Sequence, residues 1–565
     1  MQRRVLRRHR TPTGPHRSIR SCQIFQNNLA DICNGEEVGD AFEAMSTQQE
    51  LLPLPTAGEQ ERPAPASGAP RRPKVKTIDR KQSLLVPLDV EALVAPDHKV
   101  RAIWELAGKM NLSRFEEQMV SVEGKAGRPS WDPRLLVSVW VYSYSEGINA
   151  AREIERLMQW EPGLLWLAGL GVVNHTTLSD FRVRHQKALK EVFSQLLALL
   201  EEGGFVDLET VMHDGTKIRA QAGADTFRRQ QTLRERLERA RQAVEQMADP
   251  GDEEGSRRRQ AARRRAAREK LARLEAAAKE LAAMQQQLES EKEKEQARVS
   301  LTEPEARPMK HGDNAFAPSY NAQISTDAKA GVIVGLHLTN NSSDSGALEE
   351  AVQVVEQTMG RAPQRLVVDG AYTNAANITW MAQQGIELIG SLGDEAKRRE
   401  AALKACGIDA AFGIEAFLYQ PHSRALECPA GKTLPYVRQS KKRGRVYEQY
   451  QAAGSDCASC PLRARCCPKR RAGGRTVSRL VSEAAAVVAF RERMRQPEAQ
   501  QYYKRRGAVA EFPNAWIKEK MGLRKFRLRG KSKASTEALW ASLTYNVMQW
   551  IRLSWRPAQA AAQPA

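Results

Sequence analysis

The stretch FVDLETVMHDGTKIRA, residues 205–220, decides how this chain folds. Apolar residues alternate along it and lead to Asp214 and a glycine, a pattern typical of a β-strand that presents a carboxylate at an edge. Before it, over residues 86–204, apolar residues recur with helical spacing instead. The period changes at Phe205, and the sequence predicts that a second domain begins there.

Further strands follow the first one. Residues 321–327 and 332–339 are typical of strands, 345–359 of an amphipathic helix, and 365–368 of a buried strand that ends at Asp369. Either Asp alone would be a turn former in most proteins. An acid on the first strand and another at the end of the fourth is more specific, because a ribonuclease-H-like sheet brings two such carboxylates together on neighbouring central strands.

Residues 81–204 are predicted to form an all-helical domain, with helices at 100–110, 133–144, 150–160 and 177–202. In the last of these, one face is apolar and is formed by Leu189, Phe193, Leu196, Leu197 and Leu200.

That last helix is predicted to open on an N-cap pair, Thr177 with Asp180. Arg182, Arg184 and His185 follow and are expected on the helix surface. The pattern fits a helix that reads DNA and equally a helix with a merely solvated face.

Basic residues are concentrated towards the end of the chain. Residues 501–556 hold thirteen Lys or Arg and three Glu, half of the formal charge of +20, and the pI near 9.7 favours nucleic acid or an acidic surface as partner. Here the stretch YKRRGAVAEFPNAWIK, residues 503–518, sets Glu511 among bases and aromatics. Such a carboxylate is placed to hold a divalent cation beside a polyanion, or alternatively to pair with Arg505 or Lys518 on a solvated helix.

The chain resembles the DDE transposases of bacterial insertion sequences, most closely the eleven-eighty-two group. The resemblance runs from about residue 85 to residue 553 and includes GRPSWDPRLLVSVWVYSYSEGINAAREIE at 127–155 and HTTLSDFR at 175–182. It implies an α/β, ribonuclease-H-like (retroviral-integrase-like) catalytic core, residues 205–553, behind an all-α DNA-binding domain. It also implies an enzyme that binds double-stranded DNA at element ends, cleaves it and joins strands to target DNA, as a homodimer or larger assembly on DNA.

Three short motifs carry the family's acidic triad. HDGTKIRA supplies Asp214, VVDGAYTN supplies Asp369, and YYKRRGAVAEFPNAWIK supplies Glu511. Two Mg²⁺ or Mn²⁺ ions beside a phosphodiester need anionic oxygen ligands of this kind, including a bridging acid. The resemblance therefore implies that the three carboxylates form a two-metal site.

The family's Tyr, Arg, Glu and Lys signature falls on Tyr503, Arg506, Glu511 and Lys518. In the family three residues separate the Arg from the Glu, whereas Gly507 stands at that place here and Arg506 lies one residue earlier. Arg505 and Arg506 are therefore both candidates. DNA contacts are predicted at Arg182, Arg184, Arg505, Lys520, Arg524, Lys525, Arg527 and Arg529.

The segment 400–480 is predicted to be a Cys-rich insertion. Five of the eight cysteines lie between Cys428 and Cys467. A structural, non-catalytic zinc ion is expected on Cys428, Cys457, Cys460 and Cys466, with Cys467 as the alternative fourth ligand. The other interpretation is a surface loop with reduced, free cysteines.

Residues 226–291 are predicted to form an antiparallel coiled-coil hairpin, broken at 249–256, with Ser256 as the cap of its second helix. One apolar seam is expected along each helix, formed by Leu233, Leu237, Ala240, Val244 and Met247 and by Leu271, Leu274, Ala278, Leu281 and Leu288. Seven Arg lie within 257–268 near the predicted tip. They are expected to grip DNA phosphates or, alternatively, to pair with Glu235, Glu238 and Glu245.

The remaining segments are poor in periodic apolar content. Residues 1–80 are expected to be a disordered basic arm, with Met45 as an alternative start, and 554–565 a disordered tail. The longest apolar run, residues 135–145, is too short for a membrane span. Together with the clustered cysteines, these features favour a bacterial cytoplasmic protein associated with the nucleoid.

Two rival functions share this composition. One is a DNA-binding repressor descended from a transposase that has lost catalysis, although all three acids are present. The other is a hydrolytic nuclease on the same fold, which would use the same metal ions to cut without joining.

Overall fold

The computed structural model describes residues 87–117, 119, 129–247, 257–391, 395–442, 445–469 and 473–562. The predicted N-terminal arm, the break in the hairpin with the Ser256 cap, and residues 563–565 lie outside these ranges. Within these ranges, no helix has both the length and the apolar character needed to cross a membrane.

The chain from residue 99 to residue 202 is helical in its described parts. The helices are α1 (Lys99–Lys109), α2 (Ser113–Glu116), α3 (Pro133–Ser145), α4 (Ala151–Leu157), α5 (Pro162–Ala168), α6 (His175–Arg184) and α7 (Gln186–Glu202). Helix α3 begins at Pro133 because Asp132 caps it, accepting the Arg134 N–H at 2.7 Å, and proline has the φ angle that a first turn requires. The predicted apolar face of α7, from Leu189 to Leu200, is buried.

The predicted N-cap at Thr177 is wrong. Helix α6 begins two residues earlier, because the side chain of Asn174 accepts the Thr177 N–H at 2.8 Å and caps the helix there. The single helix predicted over 177–202 is also interrupted, since His185 has a non-helical backbone (φ −102°, ψ 38°) between α6 and α7.

The central sheet holds the predicted strands. The chain forms β1 (Thr210–Arg219), β2 (Phe227–Arg228), β3 (Val299–Ser300), β4 (Arg307–Lys310), β5 (Phe316–Asp327), β6 (Val332–Thr339), β7 (Arg365–Val367) and β8 (Glu387–Ile389). Strands run in the order β6-β5-β1-β7-β8, with β4 also on β5, while β2 and β3 pair separately. Neighbours are antiparallel from β6 to β1 and parallel from β1 to β8. The molecule is thus mixed α/β, and this order fits the ribonuclease-H-like core that the resemblance implies.

A helical hairpin leaves the sheet after β2. It consists of α8 (Gln230–Gln246) and α9 (Arg257–Gln286), followed by the short helix α10 (Glu291–Gln296). Gln285 donates to Gln230, and Arg241 pairs with Glu275 at 3.8 Å, so the two helices run antiparallel. The buried seam is Leu233, Ala240, Leu274, Ala277 and Leu281. Ala277, which was not predicted, is fully buried, and Met247 is exposed. The predicted Leu237, Leu271, Ala278 and Leu288 are partly buried and pack against this seam.

Three helices accompany the last central strands, one before β7, one before β8 and one after β8, and a second sheet follows them. The helices are α11 (Leu348–Met359), α12 (Ala375–Gln383) and α13 (Glu395–Ala405). The sheet joins neighbours in chain order, β9 (Leu418–Gln420), β10 (Ala425–Glu427), β11 (Thr433–Lys442), β12 (Arg445–Gln451) and β13 (Thr476–Glu483). Between β12 and β13 lie α14 (Gly454–Ala458) and α15 (Arg463–Cys466). The Cys-rich segment is therefore built on a sheet that the sequence analysis did not predict.

The chain closes with helices α16 (Ala485–Arg495), α17 (Pro497–Arg506), α18 (Phe512–Glu519), α19 (Lys531–Trp550) and α20 (Arg556–Ala562). Two π-helical turns interrupt this region, at Gly507–Glu511 and at Ile551–Trp555. The prediction of a disordered tail from residue 554 is wrong as far as residue 562. Trp555 anchors this end of the chain, since its ring is buried and its indole N–H donates to Glu105 at 2.8 Å.

Candidate active site

Asp214 lies in the middle of β1, with its side chain 20% exposed. One carboxylate oxygen accepts the Asn514 side-chain N–H at 3.1 Å, and the other lies 3.7 Å from Nη1 of Arg506. Burial raises the pKa of Asp214 to about 6; Arg506 opposes this rise, and the charge of Asp369 adds to it. The carboxylate therefore sits where negative charge is costly unless a cation accompanies it.

Gly215 explains why a glycine follows this acid. A Cβ atom there would collide with the carboxylate of Asp344 and the amide of Gln323. The glycine lets polar side chains from β5 and from the segment after β6 pack directly against the strand beside Asp214.

Asp369 follows β7 by two residues, whereas the strand was predicted to end at this acid. Strand β7 is parallel to β1, with Val367 beside Met212, so both acids come from adjacent central strands. The Asp369 carboxylate accepts the Ala371 N–H at 2.7 Å, which fixes its orientation in the turn.

The third acid lies on a helix with an irregular turn. Helix α17 ends at Arg506, residues Gly507–Glu511 form a π-helical turn, and α18 continues from Phe512. Nη2 of Arg506 lies 3.4 Å from Oε1 of Glu511, whereas Arg505 is exposed. The extra residue between Arg and Glu is accommodated by this turn, and Arg506 is the arginine that faces two of the acids.

Lys518 and Tyr503 occupy different surroundings. Burial lowers the pKa of Lys518, and the negative charge of Asp214 opposes that effect, so the ammonium group lies within the field of this acid. Tyr503 is half-buried and packs against an apolar cluster that includes Met212 and Val367, beneath the two strands that carry the aspartates.

Several polar residues around the site were missed by the sequence analysis. Asp344 accepts from the side chains of Asn321 at 2.6 Å and Gln323 at 2.8 Å, and Tyr372 donates to Gln323 at 2.6 Å. Asn514 was missed as well, although its spacing of three from Glu511 places both on one helix face. Its Oδ1 atom is buried and has no hydrogen-bond partner in the described part of the chain.

The predicted metal ligands are gathered only in part. Among the described residues, no three His, Cys, Asp or Glu side chains form a set that could hold one ion. Glu511 is 61% exposed, and Arg506 contacts both Glu511 and Asp214. The donor chemistry nevertheless suits a hard cation, because Asp214, Asp369 and the unpartnered amide oxygen of Asn514 all offer oxygen atoms.

One predicted DNA contact is contradicted by burial. Arg182 is only 4% exposed, donates from Nη1 to the Asn149 carbonyl at 2.8 Å and lies over the Trp140 ring. It cannot reach DNA, because α3 and α19 cover the face of α6 that carries it. Arg184 remains exposed and pairs with Asp180 at 2.7 Å.

Five of the remaining predicted DNA contacts lie on one loop, residues 520–530, called the basic loop below, whereas Arg505 lies on α17. The buried carboxylate of Glu537 accepts the backbone N–H groups of Arg527 and Leu528 at 2.9–3.1 Å. The N–H of Phe526 donates to the Arg219 carbonyl at the end of β1 at 2.9 Å. The loop is thus fixed to the strand that carries Asp214, and its exposed cations are Lys520, Arg524, Lys525, Arg527 and Arg529.

The clustered cysteines line a single cavity. It is bordered by Cys428, Cys457, Cys460, Cys466 and Cys467, all with free thiols. The backbone N–H of Lys432 donates to Cys428 Sγ at 3.4 Å, and that of Arg475 to Cys457 Sγ at 3.3 Å. Sulfur-directed N–H groups of this kind fit thiolates, although the side chains of the described cysteines are not drawn together as a ligand set.

Two protein-family models match the chain. The Transposase DDE domain matches residues 427–551, and the Transposase domain (DUF772) matches residues 88–184. The first match contains Glu511 and Lys518, and the second covers most of the helical domain. The Transposase DDE domain match indicates a metal-dependent enzyme that cleaves and transfers DNA strands. Together, the two matches support a DDE transposase of the insertion-sequence type.

No curated protein matches the sequence. One solved structure with a match is the cryo-EM structure of the piggyBac transposase synaptic complex with hairpin DNA. That match has 8% identity and a TM-score of 0.30, and it covers 82% of this chain and 76% of the other. A likeness of this size carries no argument about fold or function.

Proposed function

We propose that this transposase binds the ends of its insertion sequence, cleaves DNA there and joins the strands to target DNA. One observation carries the proposal. Two half-buried aspartates from adjacent strands lie beside the helical segment that bears Arg506, Glu511 and Lys518. A repressor without catalysis would not need a half-buried carboxylate whose negative charge is destabilised at this place.

In this proposal Asp214, Asp369 and Glu511 hold two Mg²⁺ or Mn²⁺ ions. Such ions, when bound, activate the attacking water or 3′-hydroxyl and stabilise the leaving oxygen. Arg506 and Lys518 offset the charge of the scissile phosphate. Tyr503 holds α17 against the sheet and thereby positions Arg506.

The DNA is proposed to run over the loop at residues 520–530, whose exposed cations contact phosphates rather than bases. Arg184 and Arg505 are proposed to extend this surface. Arg182 does not belong to it, because its side chain is buried. Two or more copies are proposed to assemble on the paired element ends.

Joining is the result that distinguishes the rival functions. Purified protein, Mg²⁺, a duplex made from the DNA that flanks the coding region and a supercoiled plasmid should yield end cleavage and end-to-plasmid joints. Cleaved ends without joints would support the nuclease, and binding without cleavage would support the repressor.

A structural zinc ion is proposed in the cavity of the Cys-rich segment. Cys428, Cys457 and Cys460 would each hold it, with Cys466 or Cys467 as the fourth ligand. All five thiols already border that cavity, although side-chain movement is needed to bring four of them to tetrahedral distances.

Purified protein is therefore expected to contain about one zinc per chain. Elemental analysis should show this content, and Cys457→Ser should lose it together with part of the thermal stability. Cys406→Ser is the matched control, because that thiol does not border the cavity. A metal-free preparation that is folded and active would support free thiols instead.

A further inference from the structure

A basic groove lies on the helical hairpin, outside the catalytic site. It encloses about 340 Å³ and is lined by Arg236 and Arg239 of α8, by Lys270 and Arg273 of α9, and by Thr302 after β3. Among the described residues, the lining contains four cations and no acid. Four like charges around one groove repel each other, so the arrangement favours an anion between them.

Two ion pairs involve glutamates of α9 outside the groove. Arg241 pairs with Glu275, and Arg307 pairs with Glu280 at the hairpin base. Within the described residues, none of the four groove cations lies within 4.0 Å of a carboxylate oxygen. Arg239 has one hydrogen bond, from Nε to the Glu235 carbonyl at 3.2 Å, which leaves its two Nη groups for a ligand.

The groove is held in a fixed position relative to the catalytic sheet. Glu303, next to Thr302, is fully buried and accepts the backbone N–H groups of Ala222 at 2.9 Å and Gly530 at 3.0 Å. The hydroxyl of Tyr320 donates to the same carboxylate at 3.0 Å. Ala222 follows β1, and Gly530 is the last residue of the basic loop. Through Glu303, the wall of the groove at Thr302 is therefore hydrogen-bonded to the chain after β1 and to the basic loop.

The chemistry of the lining identifies the kind of anion. Arg and Lys with flexible stems match phosphate oxygens, and one hydroxyl, that of Thr302, adds a donor. No aromatic side chain of the described residues lines the groove, so it offers no surface on which an unpaired base would stack. We infer that the groove binds the phosphate backbone of duplex DNA, away from the cleaved bond, as a continuation of the basic loop. The inference rests on the proposed function.

The test is a salt titration of DNA binding by the full chain. The probe is a fluorescein-labelled duplex of arbitrary sequence, roughly 40 bp long, because backbone contacts do not depend on sequence. The groove variant carries Arg236→Gln, Lys270→Gln and Arg273→Gln. The control carries Arg234→Gln, Lys279→Gln and Lys292→Gln, three exposed cations of the same region that do not line the groove.

The groove variant should bind more weakly, and the slope of log affinity against log salt should flatten by up to about 0.9 for each phosphate that the variant no longer neutralises. The control should keep nearly the wild-type slope. Equal slopes for the two variants would overturn the inference. If the triple variant does not fold, Lys270→Gln and Arg273→Gln are measured singly, and each is expected to flatten the slope by about one unit at most.

Failure of this inference is distinguishable from failure of the proposed function. If wild-type protein cleaves and joins element ends while the groove variant binds like wild type, only the groove assignment fails. If wild-type protein shows no metal-dependent cleavage, the proposed function itself fails, whatever the titration shows.

Discussion

Asp214→Asn is expected to abolish Mg²⁺- or Mn²⁺-dependent DNA cleavage, with a loss on the order of 10³-fold or more. Asp369→Asn and Glu511→Gln should do the same, because each replacement keeps the shape of the side chain and removes the anionic ligand. Binding of end DNA should survive in all three variants. Cleavage assays and gel-shift affinities measured on the same preparations check both halves of the expectation.

Glu356→Gln is the control for these variants, since it removes one negative charge from an exposed position of α11. It should cleave like the wild type. A Glu511→Gln variant with full activity would show that the helix acid lies outside the metal site and that only the strand aspartates belong to it.

Glu537→Ala is expected to lower the free energy of unfolding by about 3–5 kcal/mol. The Glu537 side chain is fully buried, accepts two backbone N–H groups of the basic loop and lies in the field of the buried Arg182. Truncation leaves these donors without their acceptor and removes the negative charge that offsets the buried Arg182. Urea denaturation of wild type and variant measures the difference.

Glu519→Ala is the matched control, because Glu519 is an exposed partner of Arg524 on the same loop. It should change the unfolding free energy by less than about 1 kcal/mol. A loss for Glu537→Ala no larger than that of the control would mean that the loop backbone is held by other contacts.

Local pattern was sufficient to predict the elements that carry the aspartates. Strand β6 has the predicted bounds, and β1, β5 and β7 lie where alternation and turn residues indicated. The reason is that each of these strands has its own apolar period, which survives in the folded sheet. The placement of Asp214 and Asp369 on neighbouring strands follows from strand order alone.

Other features depend on tertiary packing and were not predictable in this way. Arg182 looks like any basic residue of a surface helix, but α19, more than 350 positions later in the chain, covers it and supplies Glu537. The role of Asn514 was not predictable, because it depends on β1 placing Asp214 within hydrogen-bond distance of its side chain. The sheet β9–β13 was missed because its strands are short or largely polar on both faces.

The π-helical turn at Gly507–Glu511 lets the helix hold one more residue without changing the direction of the side chains on either side of the turn. One residue added to a regular α-helix would rotate everything beyond it by about 100°, and Tyr503 and Arg506 would then point away from Glu511, Asn514 and Lys518. A wider turn takes up the added residue locally, so both halves of the helix keep their facing side chains. In homologous chains, the functional arginine should therefore be assigned by the face it shares with the acid rather than by a fixed number of residues.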